Sequence, residues 1–216
     1  FGRIADGVDE VVKAVREQIH TGSDLIKIMA TGGVMTPGVN PEDAHYSAEE
    51  MAVGIAEGHR FHKTCASHAQ GTEGILNAVR GGIDSIEHGT FMDDETMQLL
   101  LGRDVPVVPA LYFEKASILH GPSFNMPQEV IDGHQETLDA GTISAQRIIR
   151  EGGRLGLGGD YGFAWNPHGD YAKELTFFVD HVGLTVEQTL ICATRTGAEI
   201  IGVQDTLGTL ETGKLA

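Results

Sequence analysis

Four chemically reactive residues each accompany a short apolar run that is typical of a buried strand. The runs are bounded by turn residues, mostly glycine, and they carry Lys27, His68, His88 and Asp160 in chain order. Between the runs, apolar residues recur at the spacing of a helix. Strands that alternate with helices indicate βαβ units around a parallel sheet, and this alternation constrains the fold more than any other feature of the sequence.

The sequence predicts five strands and seven helices. The predicted strands are 24–31, 64–69, 84–88, 106–112 and 155–160, and the predicted helices are 6–20, 47–61, 72–79, 93–101, 127–150, 171–181 and 185–201. Reactive residues at the carboxyl ends of strands are typical of a (β/α)8 barrel, whose active site lies on that face. Eight strand–helix units need about 250 residues. The 216 residues present therefore predict an α/β fold that is a partial TIM-like barrel, strands 4 to 8 with their helices, forming a single barrel portion over residues 1–216 that lacks the opening strands.

The composition excludes several classes of partner. The net charge is −16, with 31 acidic against 15 basic residues, so no basic surface is available for nucleic acid or for an anionic membrane. No apolar run is long enough to cross a bilayer, and no signal peptide is visible. The only cysteines, Cys65 and Cys192, form no CxxC pair, which fits a reducing compartment. These features predict a cytoplasmic protein.

The reactive residues favour a metal site. Imidazole and carboxylate are ligands of a borderline divalent ion such as zinc. A free lysine has no acceptor atom, but carbamylation by CO2 would turn Lys27 into a two-oxygen anion. That reaction needs a neutral amine, which apolar neighbours such as Ile26 and Ile28 are expected to favour by desolvation.

The spacing of the other candidates supports the same site. His68 and His88 are one strand–helix unit apart and are expected on neighbouring strands. Asp160 follows two glycines and suits a ligand, a general base or both, since a carboxylate beside metal-bound water can accept its proton. Other interpretations remain open. Lys27 can reach solvent from a strand end, a single histidine is often a packing residue, and Asp160 suits a turn.

The sequence resembles the amidohydrolase superfamily. The resemblance is carried by Lys27 in IKIMATGGV, His68 in SHAQGTEGI, His88 in SIEHG and Asp160 in LGLGGDYG. The most similar branch is the metal-dependent carboxypeptidases and prolidases related to imidazolonepropionase and ochratoxin amidase. The resemblance implies a binuclear zinc site in a distorted barrel, with Lys27 as a carbamylated bridge, His68 and His88 as ligands of one metal, and Asp160 as ligand and proton shuttle. It also implies that metal-activated hydroxide cleaves the amide bond of an N-acyl amino acid or dipeptide.

One feature of that family is missing here. Family members carry a His-x-His pair on the first barrel strand, and this sequence has none. His59 and His62 lie on a predicted helix and are expected to face solvent. We therefore expect at least one zinc ion, and two only in a complete site.

Two other functions stay open. In the first, the chain is a catalytically incomplete fragment that binds at most one metal and self-associates as a homo-oligomer to cover open sheet edges. In the second, the same metal site hydrolyses a lactone or a phosphotriester.

The expected partner is a small amide or dipeptide substrate. Gln70 follows His68 by two residues and faces the same side of the strand end. Tyr112 and His168 lie in or beside loops that follow strands. These three residues are the predicted substrate-binding side chains.

Overall fold

The computed structural model describes residues 2–215, which form two compact units. The first contains the described residues up to Glu87 together with Met92–Val105, and the second contains His88–Phe91 and the chain from Pro106 onward. Strands and helices alternate as expected, and the paired strands are parallel, so the predicted α/β class is confirmed. Within the described range, no helix is both long and apolar enough to cross a membrane.

The first unit holds three strands and four helices. They are α1 (Val8–His20), β1 (Ile26–Met29), α2 (Ala48–Arg60), β2 (Cys65–Ala69), α3 (Thr72–Gly81), β3 (Ser85–His88, whose last residue belongs to the second unit) and α4 (Asp94–Gly102). Helix α2 begins at a capping box: the Ser47 hydroxyl accepts from the Glu50 backbone N–H, and the Glu50 carboxylate accepts from the Ser47 N–H. The predicted helices of this unit are confirmed to within about two residues at each end, the usual uncertainty of helix ends.

The strands of the first unit lie in the order β1-β2-β3. Strands β1 and β2 are parallel, with Ile26 paired to Cys65 and Met29 paired to His68. Side chains alternate across a strand, so Ile26 and Ile28 are buried while Lys27 and Met29 point to the opposite, exposed face. The core of the unit lies on the face that Ile26 and Ile28 occupy.

The second unit is mainly helical. Its elements are β4 (Val107–Val108), α5 (Leu111–His120), a 3-10 turn (Gly121–Phe124), α6 (Gln128–Arg150), α7 (Ala172–Phe177) with a π-helical turn (Phe178–Val182), α8 (Val186–Ile191) with a second π-helical turn (Cys192–Thr196), and α9 (Gly197–Ile200). Val107 forms a parallel bridge with Leu155, which marks the start of the predicted strand 155–160. The segment His88–Phe91 is tied to α6, because the Ser144 hydroxyl donates to the Thr90 carbonyl at 2.7 Å.

Two predictions for this unit are wrong in detail. The predicted strand 106–112 ends after Val108, and Leu111 and Tyr112 open helix α5 instead. Pro109 cannot donate to a sheet, and Ala110, with φ at +54°, turns the chain into the helix. The predicted strand 155–160 is reduced to the single bridge at Leu155, since the following residues are mostly glycine and add few side chains to a sheet.

Candidate active site

Lys27 is less buried than the sequence suggested. Its side chain is 39% exposed, and its Nζ donates to Glu87 Oε2 at 2.6 Å. The prediction that the Lys27 side chain has apolar surroundings is therefore wrong, because the buried isoleucines lie on the other face of β1. Glu87, which directly precedes His88, was not singled out from the sequence. Only the strand order shows that it reaches Lys27.

His68 is buried at the end of β2. The register places it beside Met29, and Lys27 pairs with Ala66 two residues earlier, so Lys27 and His68 share one face of the sheet. The His68 Nε2 lies 2.9 Å from the Gly32 carbonyl oxygen. A carbonyl only accepts, so Nε2 carries the proton and Nδ1 carries the lone pair of the neutral ring. Nδ1 is then the atom suited to bind a metal.

Gly33, after β1, lies against the His68 ring. A Cβ at Gly33 would make ordinary van der Waals contacts, 3.4 Å from the ring's Cε1 and 3.7 Å from Gln70 Oε1. Gln70 is buried behind this turn, and its backbone N–H donates to the Thr31 hydroxyl at 3.1 Å. Its role as a substrate contact stays a prediction.

His88 ends β3 in an unusual backbone conformation. It is buried, and its φ of +72° is followed by +61° at Gly89. A non-glycine residue in the left-handed region costs about 1 to 3 kcal/mol and persists where surrounding structure imposes it. Such residues cluster at active sites, so the strain supports a functional role for His88.

Asp160 shares this feature with His88. Its φ is +47°, and its side chain is exposed. The buried Asn166 amide holds the backbone there, because its Nδ2 donates to the Gly159 carbonyl at 2.6 Å and lies 3.4 Å from the Asp160 carbonyl. Asn166 was not singled out from the sequence, because it lies in the loop 161–171 and no motif marks it.

Aromatic contacts fix the same loop on helix α5. The Phe163 ring lies 5.0 Å from Phe113 and 5.2 Å from Trp165, and the Trp165 Nε1 donates to the Ser117 hydroxyl at 3.0 Å. The part of the loop that contains Phe163 and Trp165 is therefore packed against helix α5.

The predicted substrate residue His168 lies in an aromatic cluster of the second unit. The Tyr161 and Tyr171 rings are 4.7 Å apart, and the His168 ring centre is 6.4 Å from that of Tyr171. The other predicted residue, Tyr112, packs its ring edge against Phe177 at 6.2 Å. Burial raises the pKa of Tyr161, and the nearby negative charges, Glu174 first and Tyr112 next, raise it further. A phenol cluster beside the Asp160 loop offers hydrogen bonds and an apolar surface to a small ligand.

Glu174 is a buried carboxyl that is hydrogen-bonded to the start of helix α5. It is 2% exposed, and its Oε2 accepts from the Tyr112 backbone N–H at 3.1 Å, which caps the start of α5. Burial raises its pKa to about 8, and hydrogen bonds from the Tyr112 and Leu111 N–H groups lower it only in part. The burial of this carboxyl was not predictable from the sequence, because a glutamate in a short helix is usually exposed.

We expect Glu174→Gln to flatten the dependence of stability on pH. A carboxyl with a raised pKa holds its proton better when folded, so its stabilising contribution is present below the ordinary value of 4.5 and is lost as the pH rises through about 8. The melting temperature of the wild type should therefore fall more than that of the variant between about pH 5 and about pH 9. Glu187→Gln, at an exposed site on α8, is the control and should follow the wild type. If the melting temperatures of Glu174→Gln and the wild type changed in parallel with pH, the raised pKa of Glu174 would be contradicted.

A buried pair lies next to the Asp160 loop. The His134 Nδ1 is 2.5 Å from Glu114 Oε2, and both side chains are almost fully buried. Burial raises the pKa of Glu114, His134 lowers it, and the nearby charge of Asp160 raises it further. Glu114 is thus close enough to Asp160 for their charges to interact.

The candidate ligands have the right chemistry for a metal. In the first unit, Lys27 and His68 lie on one face of the sheet. In the second unit, His88 and Asp160 both have a left-handed backbone conformation. Imidazole, carboxylate and the carbamate of a lysine are each suited to bind zinc. The Lys27–Glu87 ion pair competes with the carbamate, since Glu87 would face a second anion. A half-exposed pair of this kind contributes only about 0 to 1 kcal/mol.

Comparison with known proteins agrees with this description. The sequence model of the amidohydrolase family matches residues 2–216. The ochratoxinase of Aspergillus niger is 33% identical over 205 residues, which cover 93% of this chain and 41% of that protein. The chain thus spans less than half the length of this curated relative.

Two solved structures are similar over the whole chain. A prolidase complexed with N-methylphosphonate-L-proline has a TM-score of 0.90 and 32% identity, covering 99% of this chain and 52% of its own. A Xaa-Pro dipeptidase with methionine bound in its active site has a TM-score of 0.87 and 29% identity, covering 98% of this chain and 52% of its own. These matches confirm the predicted fold, a part of the amidohydrolase barrel.

Proposed function

The chain belongs to the amidohydrolase family, and from this premise we propose that it hydrolyses amide bonds at a metal site on the carboxyl ends of its strands. The substrate class is an N-acyl amino acid or a dipeptide, and the metal is zinc. The proposed ligands are Lys27 as its carbamate, His68, His88 and Asp160. The observation that carries the proposal is the strained backbone of His88, the last residue of β3, and of Asp160, in a chain whose family match covers residues 2–216.

The chain's own residues have separate roles in this proposal. His68 presents Nδ1, because Gly32 holds its other nitrogen. Asp160 is exposed on an ordered loop, where its carboxylate can accept a proton from the attacking water and pass it to the leaving amine. When bound, the metal polarises the scissile carbonyl and lowers the pKa of water, so that a nucleophile is available at neutral pH.

The substrate class rests on the relatives. The matched structures are described as a prolidase and a Xaa-Pro dipeptidase, and the matched curated protein is an ochratoxinase. In this chain the aromatic cluster around Tyr112 and His168 is the proposed surface for the substrate, with Gln70 as a further hydrogen-bonding group. A small substrate with one apolar side chain fits such a surface.

We expect the purified chain to bind zinc through His68. Elemental analysis should find at least one zinc ion per chain in the wild type and about one fewer in His68→Ala, because loss of an imidazole removes one protein ligand of a four-coordinate site. His20→Ala, at the exposed end of α1, is the control and should keep the wild-type content.

The same preparations should be assayed with Xaa-Pro dipeptides and N-acyl amino acids, and with a lactone and a phosphotriester. Hydrolysis of the amides, abolished by a chelator, supports the proposal. Zinc content that His68→Ala leaves unchanged would refute the ligand assignment. Zinc loading with turnover of only the lactone or phosphotriester would refute the substrate class.

A further inference from the structure

A second group of potential metal ligands lies at the opposite end of the same strands in the first unit. His59 is in the last turn of α2, Cys65 opens β2, and Asp84 directly precedes β3. His68 is three residues further along β2 than Cys65, which is about 10 Å at the rise of a strand. We call His59, Cys65 and Asp84 the His59 cluster.

The residues of the His59 cluster are already hydrogen-bonded to one another. The His59 Nε2 lies 2.8 Å from Asp84 Oδ2, and the same oxygen accepts from the Cys65 backbone N–H at 2.7 Å. One nitrogen, one sulfur and one oxygen ligand atom all lie within 4.8 Å of one another. In a tetrahedral zinc site with bonds of about 2.0 to 2.3 Å, ligand atoms are about 3.3 to 3.8 Å apart. To reach that geometry the widest pair has to approach by at most about 1.5 Å, and the His59 Nε2 and Asp84 Oδ2 atoms have to separate by about 0.5 Å.

We propose that His59, Cys65 and Asp84 bind a zinc ion, with water as the fourth ligand, and that this ion fixes α2 to the amino ends of β2 and β3. The donor set of imidazole, thiolate and carboxylate matches zinc better than calcium or magnesium, which take oxygen ligands. The site is independent of the proposed active site and of the proposed function, because it shares no ligand with either.

The surroundings of the sulfur fit an ion. Cys65 is buried, but a Cβ at Gly58 would lie 2.5 Å from its Sγ, so the glycine is what allows helix α2 to come so close to the sulfur. In the absence of a cation, burial and, to a smaller extent, the charge of Asp84 together raise the pKa of the Cys65 thiol to about 12. Both causes disfavour the bare thiolate, and a zinc ion at this position would reverse them by replacing the proton.

The simpler interpretation is that Asp84 only accepts hydrogen bonds that hold α2 to β2. That interpretation predicts no metal affinity. It also predicts that His59, whose side chain is 40% exposed, can be replaced with little effect. Titration of the chain with cobalt(II) separates the two interpretations, because a thiolate ligand gives a charge-transfer band in the near ultraviolet. The proposed active site has no cysteine, so the band reports the His59 cluster alone.

We expect the band in the wild type, in Cys192→Ser and in His68→Ala, and its loss in Cys65→Ser. His59→Ala should weaken the cobalt affinity measured from this band by at least about 100-fold. Loss of a residue that only supports a ligand costs up to about 100-fold in metal affinity, and His59 is proposed as a ligand itself. His62→Ala is the matched control, since His62 is exposed just beyond the same helix and should bind as the wild type does. A wild type without the band, or a His59→Ala titration that matches that of His62→Ala, would overturn the proposal. Loss of zinc in His68→Ala with the band retained would show that the two sites are separate.

Discussion

Asp160→Asn is expected to lower kcat for amide hydrolysis by about 10² to 10⁴-fold, the contribution of a positioned general acid–base group. Asparagine has the shape of aspartate but cannot accept a proton at neutral pH. The variant therefore removes the proton transfer and keeps the side-chain volume. Steady-state kinetics on a dipeptide, with zinc content measured on the same sample, separates loss of chemistry from loss of metal.

The choice of asparagine depends on the backbone. Asp160 has φ at +47°, and asparagine tolerates the left-handed region as well as aspartate does, whereas alanine would add strain. Asp104→Asn is the matched control, because Asp104 is also exposed and also left-handed, with φ at +54°, but lies in the turn before β4. A drop in kcat of less than tenfold in Asp160→Asn, or an equal drop in Asp104→Asn, would contradict the role of Asp160 as proton shuttle.

The secondary structure of the first unit was predictable because its elements obey simple periodic rules. The helices there carry apolar residues at helical spacing, and two of them start at recognisable caps, Ser47 and Asp93. Helix α5 was not predictable in this way. Its sequence, LYFEKASILH, is apolar nearly all round and follows a proline-rich run, so that nothing separates it locally from a buried strand.

The sequence proposes which residues form the candidate site, but it does not show their electrostatic surroundings. The order of Lys27, His68, His88 and Asp160 follows from motifs, whereas the exposure of Lys27 depends on which face of β1 the core occupies. Glu114, His134 and Glu174 lie in helices, where a charged residue normally faces solvent. Only the packing of α5, α6 and α7 shows that they are buried. The His59 cluster was also not predictable, because its members belong to a helix, a strand and a turn that only the folded structure brings together.

His134→Ala is expected to destabilise the protein by about 3 to 5 kcal/mol, the usual cost of removing one partner of a buried ionic pair. The substitution leaves Glu114, which is 2% exposed, without the imidazole that lowers its pKa, so the carboxyl must take up a proton or stay charged in an apolar core. Urea unfolding at neutral pH measures the change. Glu136→Ala, two residues further along α6 and exposed, is the control and should change stability by less than about 0.5 kcal/mol.

A double substitution tests the mechanism behind that loss. If the cost comes from the unpaired Glu114, replacing both partners by apolar residues, as in Glu114→Met with His134→Leu, should recover more than half of the stability lost in His134→Ala. If His134 stabilises mainly by packing, for example through its edge contact with Phe113 at 5.6 Å, the double variant should be at least as unstable as the single one.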